Sequence, residues 1–216
     1  MTNQSTIRTA GQLESVDRHV SVSDTADGAY VVATISQVYP TTVDDLWQAC
    51  TTSQRLARWF GPVAGDLELG GQYQIENNAN GTIEQCQPPT SFRLTWEFAD
   101  NVSWVTVCIE PCGGESARLT VEHSADTPAE FWQTYGPGAT GVGWELAFLG
   151  LANFLADRSS SPVESSAEWE HSDEAREFIT GSSTAWADTW IAAGEPKDSA
   201  RGAEQRTTAF FTGQET

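Results

Sequence analysis

The spacing of apolar positions along the chain switches from a period of two to a period near 3.6, back to two, and then to 3.6 again. Residues 11–22 (GQLESVDRHVSV) suit a short leading strand, and 29–39 (AYVVATISQVY) read as a longer one that Pro40 ends. Val43, Leu46, Trp47 and Cys50 follow at i, i+3, i+4 and i+7, one face of a helix. Thr41 or Thr42 suits its N-cap, with Asp44 and Asp45 in the first turn. Ser53 is a cap for a second short helix over 54–60, stopped by Gly61-Pro62.

Six strands are then predicted, at 65–69, 72–77, 81–87, 91–98, 102–110 and 117–123. The turn signals between them are Gly70-Gly71, Asn80-Gly81, Pro88-Pro89, Asp100-Asn101 and Gly113-Gly114. Such short connections imply an antiparallel meander. The clearest alternation is Phe92, Leu94, Trp96 and Phe98 against Arg93, Thr95 and Glu97. The first set belongs on a covered face. Val105, Val107 and Ile109 go together by the same parity, as do Leu119, Val121 and His123.

Thr127-Pro128-Ala129-Glu130 has the form of a capping box and opens a short helix carrying Phe131, Trp132 and Tyr135. A long helix over 140–157 places Trp144, Phe148, Leu151 and Leu155 in one stripe, with Leu146 and Leu149 on the opposite side. A helix apolar on both sides needs cover on both sides. Residues 158–171 read as a polar linker. Two further helices follow, one capped by Ser172 with Phe178, Ile179, Trp186 and Trp190, one opened by Pro196 with Ala203, Phe210 and Phe211. The expected fold is α+β: a curved antiparallel sheet wrapped around a long helix, with an added C-terminal helical hairpin. The divisions expected are an N-terminal arm (1–28, its first ten residues polar and mobile), a core domain (29–157) and an extension (158–216) packed on that domain.

Composition narrows the function. Eleven Lys and Arg against thirty Asp and Glu leave a net charge of −19 on 216 residues. That charge repels phosphate backbones and anionic membranes, which excludes nucleic acid as the expected partner. The longest apolar stretch, 142–156, is short for a membrane span and contains Glu145 and Asn153. With no apolar leader at the N-terminus, the expected location is the cytoplasm. Cys50, Cys86, Cys108 and Cys112 form no C-x-x-C pair and read as reduced, buried thiols. Three scattered His residues make no metal centre. No cofactor is expected.

The chain resembles the START-like, or SRPBCC, superfamily with its helix-grip fold. Within it the resemblance is to the branch named for activators of a heat-shock chaperone ATPase. The segments that carry the likeness are PTTVDDLWQAC at 40–50, RLARWFGP at 55–62, DLELGGQY at 66–73, GTIEQCQPPTSFRLTWEF at 81–98, ARLTVEH at 117–123 and GWELAFLGLANFL at 143–155. The flanks GQLESVD, FITGSSTAW and TTAFFTG look like those of some bacterial members. The resemblance implies a cavity between the long helix and the concave sheet, of the kind relatives use for lipids, polyketides and other apolar molecules. It implies no reaction. Members often carry an acidic and an aliphatic residue where this chain has Gln85 and Cys86; if that acid does chemistry in them, it is missing here.

The candidate ligand-binding residues are Trp59, Phe60, Tyr73, Trp96, His123, Trp132, Trp144 and Phe148. The aromatics suit a mostly apolar pocket, or ordinary core packing. His123 could orient a ligand or move a proton near neutral pH, or be a hydrogen-bonded core residue. Phe131, Trp132 and Tyr135 read equally as a lid or as loop anchors. Glu84 and Glu97 lack a partner at fixed spacing and read as a solvated face. No catalytic residue is singled out. The functions weighed are binding of a small hydrophobic or aromatic molecule, a protein-interaction domain acting on a chaperone, and, less favoured, a cyclase or hydrolase. A homodimer remains open as an assembly.

Overall fold

Alternation of buried residues, Val16 and Val20 in one segment and Ala29, Val31, Ala33 and Ile35 in the next, builds two long strands, β1 (Val16–Asp24) and β2 (Gly28–Tyr39), which pair antiparallel. The computed structural model describes residues 9, 11–99, 101–158 and 167–214. The expected mobile tail at 1–10, apart from Thr9, and most of the 158–171 linker lie outside these residues. After β2 come α1 (Val43–Thr51) and α2 (Ser53–Leu56). Thr42 is the cap of α1, its hydroxyl accepting from the Asp45 amide at 3.2 Å. Six further strands follow: β3 (Val63–Gly65), β4 (Gln72–Ile75), β5 (Asn80–Gln87), β6 (Ser91–Phe98), β7 (Asn101–Pro111) and β8 (Ala117–Pro128). The helices α3 (Ala129–Tyr135), α4 (Gly138–Ala156), α5 (Ala167–Glu170), α6 (Asp173–Ala192) and α7 (Lys197–Phe211) complete the described chain.

Among the described residues the strands form one antiparallel sheet in the order β1-β2-β8-β7-β6-β5-β4-β3. The sheet curves around α4, the helix-grip arrangement. The register puts Phe92 beside Val107, Val107 beside Val121, and Val121 beside Ile35, so one apolar face runs across four strands.

The far side of α4 is closed by the C-terminal helices. Leu149, at no measurable exposure, packs with Trp169, Ala175 and Phe178. A Cβ on Gly141 would meet the Trp186 ring at 2.2 Å, so only glycine admits that indole against α4. The single charge on this stretch, Glu145, is fully buried and accepts two bonds from Arg18 of β1, from Nε at 2.6 Å and Nη2 at 2.8 Å. An ion pair at this depth is held by its paired hydrogen bonds, and either partner left alone would be a buried charge.

Several local expectations give way to longer-range pairing. The residues at 66–69 are a loop, because Gly65 at φ +108° ends β3 and Asp66 turns its amide to the Gln72 carbonyl. The α-helix expected over 54–60 keeps only its first turn. Thr127 and Pro128 stay in β8, paired with Ala29 and Gly28, so the capping-box pattern is overridden by the sheet. Within 158–171, Trp169 of α5 is buried rather than part of a polar tether, because Phe178 and Leu149 give its ring an apolar seat. Phe210 is 55% exposed instead of buried on α7, which turns Ala200, Ala203 and Thr207 inward. Of the four free thiols none is fully buried, and Cys112 is exposed in the β7–β8 turn.

Candidate functional site

The alternation in β6 delivers Phe92, Leu94 and Trp96 to the concave face, level with Ile83 of β5 and Val105 of β7. Opposite them, α4 presents Trp144, Ala147 and Phe148, and α1 presents Trp47 and Cys50. Trp59 and Phe60, after α2, close one side with Val63, Tyr73 and Ile75. These surfaces do not meet. They enclose a cavity of about 570 Å³. Its rings touch one another around the wall. Trp96 and Trp144 lie 5.5 Å apart between centroids, and Phe60 lies parallel to Trp144 at 6.2 Å. Trp47 meets Phe92 edge-on at 5.8 Å.

The polar tips of three wall residues are turned into the protein. Trp59 Nε1 donates to the Ala49 carbonyl at 3.0 Å, Tyr73 Oη to the Thr95 carbonyl at 2.7 Å, and Trp144 Nε1 to His123 Nδ1 at 3.1 Å. What these residues present to the cavity is ring face and ring edge. Burial pushes the Cys50 thiol up to about 12 and the Tyr73 phenol well above its ordinary value. Neither ionises near neutral pH. Glu68 and Leu69, both exposed, belong to the wall, so the cavity opens beside the β3–β4 loop.

His123 stands behind this wall. Indole N–H is only a donor, so Nδ1 must accept from Trp144, and the neutral ring carries its proton on Nε2. Nε2 then donates to Ser103 Oγ at 2.8 Å, and Ser103 donates to the Trp96 carbonyl at 3.1 Å. The chain of donors runs from indole to sheet carbonyl with every member satisfied. It also runs in the wrong direction for activating Ser103, because His123 gives the shared proton rather than taking it. Burial lowers the imidazole to about 4, so the neutral form holds at physiological pH.

The structure places the eight sequence candidates in two groups. Trp59, Phe60, Tyr73, Trp96, Trp144 and Phe148 line the large cavity. His123 and Trp132 do not. They border a second space of about 30 Å³ beneath α3 at the start of α4. Trp132 packs edge-on against Trp190 at 4.8 Å, and Tyr135 against Phe210 at 5.9 Å, so α3 is anchored to α6 and α7. Glu84, read as unpartnered, lies 3.5 Å from Arg93 on the neighbouring strand, an exposed pair worth little to stability. Sequence reasoning missed Trp47, Phe92, Leu67, Leu69 and Cys86 as wall residues. Parity with Trp96 could have found Phe92. Nothing in the pattern marks Leu67 or Leu69, which face the cavity from an irregular loop.

Residues 40–156 match the family described as Activator of Hsp90 ATPase homolog 1-like protein. Among solved structures, the solution structure of CalU16 from Micromonospora echinospora is 30% identical, covering 83% of this chain and 97% of that one at a TM-score of 0.67. Its crystal structure gives 27% identity, 81% and 97% coverage, and a TM-score of 0.63. A conserved protein of unknown function from Enterococcus faecalis shares the fold at 11% identity, with 82% and 92% coverage and a TM-score of 0.57. No curated protein is a significant match.

Proposed function

The chain belongs to the Activator of Hsp90 ATPase homolog 1-like family, and from that premise we propose that it binds a small hydrophobic or aromatic molecule between the sheet and α4. Members of this fold bind hydrophobic ligands or regulate Hsp90. The observation that favours ligand binding here is the cavity of about 570 Å³ walled by Trp47, Trp59, Phe60, Phe92, Trp96 and Trp144. That volume lies within the ordinary range for small-molecule sites, which are mostly apolar. A binding module needs the space, whereas a surface that only grips a partner protein does not. The binding residues on this reading are the six wall candidates Trp59, Phe60, Tyr73, Trp96, Trp144 and Phe148, joined by Trp47 and Phe92. His123 acts from behind, fixing the Trp144 indole.

The extension belongs to the same folding unit on this reading, since α6 and α7 supply the second cover that α4 requires. Four free cysteines agree with the reducing cytoplasm. Within the described residues α4 is the one helix long and apolar enough to cross a membrane, and half of it is buried as the gripped core helix.

Native mass spectrometry of freshly purified protein tests the reading. A bound small molecule, lost in a Trp96→Ala variant that remains folded, supports it. Overturning it takes two results together: no bound mass, and no change in tryptophan emission on titration with apolar compounds. Chaperone regulation would gain from specific capture of an Hsp90-type ATPase with a change in its turnover, and that function would not depend on Trp96.

A further inference from the structure

The wall chemistry assigns a charge class to the ligand, an inference that rests on the cavity-binding reading above. Apart from thiols and the bonded Tyr73 hydroxyl, the cavity wall holds one ionisable side chain, Glu68 at the opening. No Arg, Lys or His lines it among the described residues. Arginines on two flanking elements are turned to other partners. Arg55 of α2 lies 3.0 Å from Asp45 and over the Phe154 ring, and Arg93 of β6 pairs with Glu84 and covers Trp104. The indole N–H groups of Trp59 and Trp144 are spent on protein acceptors.

An anion entering this space would lose its hydration and find no cation to replace it, and it would pass the Glu68 carboxylate on the way. A cation also gives up its hydration, but here groups of the opposite character replace part of it. The wall carries the indole rings of Trp47, Trp96 and Trp144, the aromatic type that attracts cations best, and Glu68 adds a negative charge at the opening. An uncharged flat ring system loses nothing and gains stacking and dispersion from the aromatic wall. We propose that the cavity takes neutral or cationic aromatic molecules and rejects the same skeleton bearing a carboxylate, with Glu68 setting part of the discrimination at the opening.

Three probes with one ring system test this: 1-pyrenemethanol, 1-pyrenemethylammonium and 1-pyrenecarboxylate, each titrated calorimetrically into the full-length protein at neutral pH. The alcohol and the ammonium should bind at least about tenfold more tightly than the carboxylate, a difference that corresponds to about 1.4 kcal/mol. Because the net charge of −19 also repels anions, the titrations are repeated at high salt. Screening removes long-range repulsion but leaves the desolvation of a buried carboxylate, so the gap between alcohol and carboxylate should persist. Glu68→Gln should narrow the ratio of ammonium to carboxylate affinity by about threefold or more. Carboxylate binding equal to that of the alcohol, or a gap that vanishes with salt, overturns the charge class while leaving the cavity as a binding site. An unchanged ratio in Glu68→Gln removes Glu68 from the proposal. If none of the three binds, the charge class is overturned, and the cavity-binding reading is decided separately by the bound mass and the tryptophan emission titration above.

Discussion

One end of the concave sheet face is filled and the other is hollow, although the two ends look alike in sequence. In β2, Val31, Ala33 and Ile35 are each no more than 6% exposed. In β6, Phe92, Leu94 and Trp96 alternate just as cleanly, yet all three remain half-buried and face the cavity. The difference lies in what stands opposite. The β1–β2 end is reached by α4, α6 and the Arg18–Glu145 pair. The β6 end faces α1, the loop after α2 and the cavity-facing side of α4, which arch over it without filling it. Alternation reports which face a side chain takes, and not whether anything occupies the space beyond it.

The largest expected effect lies in the filled end. Arg18→Ala strands the Glu145 carboxylate, which has no measurable exposure, and should destabilise the fold by about 3–5 kcal/mol. Denaturant midpoints measure it. The double variant Arg18→Met, Glu145→Met should recover much of the loss, because replacing both charges leaves neither buried alone. A single variant within about 1 kcal/mol of wild type would show that water reaches Glu145 and that this end is not closed.

At the border of the two ends stands His123, and its titration sharpens the contrast. Burial holds the folded imidazole at about 4 against an ordinary 6.5. Between these values the unfolded chain binds a proton that the folded chain refuses, so stability falls as pH drops from 6.5 towards 4 and levels off below. The full linkage is about 3 kcal/mol. Urea unfolding across that range should show this loss in wild type and lack it in His123→Gln. Equal slopes in the two proteins would mean that the imidazole is already solvated through the cavity.

A matched pair of leucines compares the filled far side of α4 with the hollow end of the sheet. Leu149→Ala removes a side chain fully enclosed by Trp169, Ala175 and Phe178 and should cost about 2–5 kcal/mol. Leu94→Ala enlarges a space that already exists, so the loss is the transfer of its half-buried atoms, about 1 kcal/mol. Equal losses would mean that the wall around Leu94 collapses onto it in solution.

The strand parity up to Trp96, the long helix doubly in need of cover, and the cap at Ser172, whose hydroxyl accepts from the Ala175 amide at 3.1 Å, were all legible in the sequence; Phe98, expected on the covered face, is instead 55% exposed at the end of β6, where the sheet runs out. Each of the three legible features is set by residues a few positions apart. The Arg18–Glu145 pair was not, since its partners are 127 positions apart and only the oddity of a charge in an apolar helix hinted that one must exist. Gly141 gave no sign of the Trp186 indole that needs it. The site was half legible. Aromatic composition pointed to Trp59, Trp96 and Trp144, but the placement of His123 behind the wall depends on a register between β7 and β8 that puts Ser103 within 2.8 Å of its ring.

The smallest expected effect makes the most direct test of the hollow end. Adding carbon to a filled core forces strained rotamers and costs about 1–3 kcal/mol. Leu94→Phe adds a ring on the concave face, where Leu94 borders the cavity and pairs with Val105 and Ile83 on the flanking strands. If the space is open, the ring enters it, gains contacts with Trp96 and Phe92, and changes stability by less than about 1 kcal/mol in either direction. The same ring takes volume from any ligand, so an apolar dye such as 1-pyrenemethanol should bind at least several-fold more weakly to a variant of unchanged stability. These two measurements must move apart. A variant destabilised like an overpacked core would show that β6 is filled in solution. Unchanged stability with unchanged dye affinity would put the dye elsewhere, and the hollow end would then be space without a ligand.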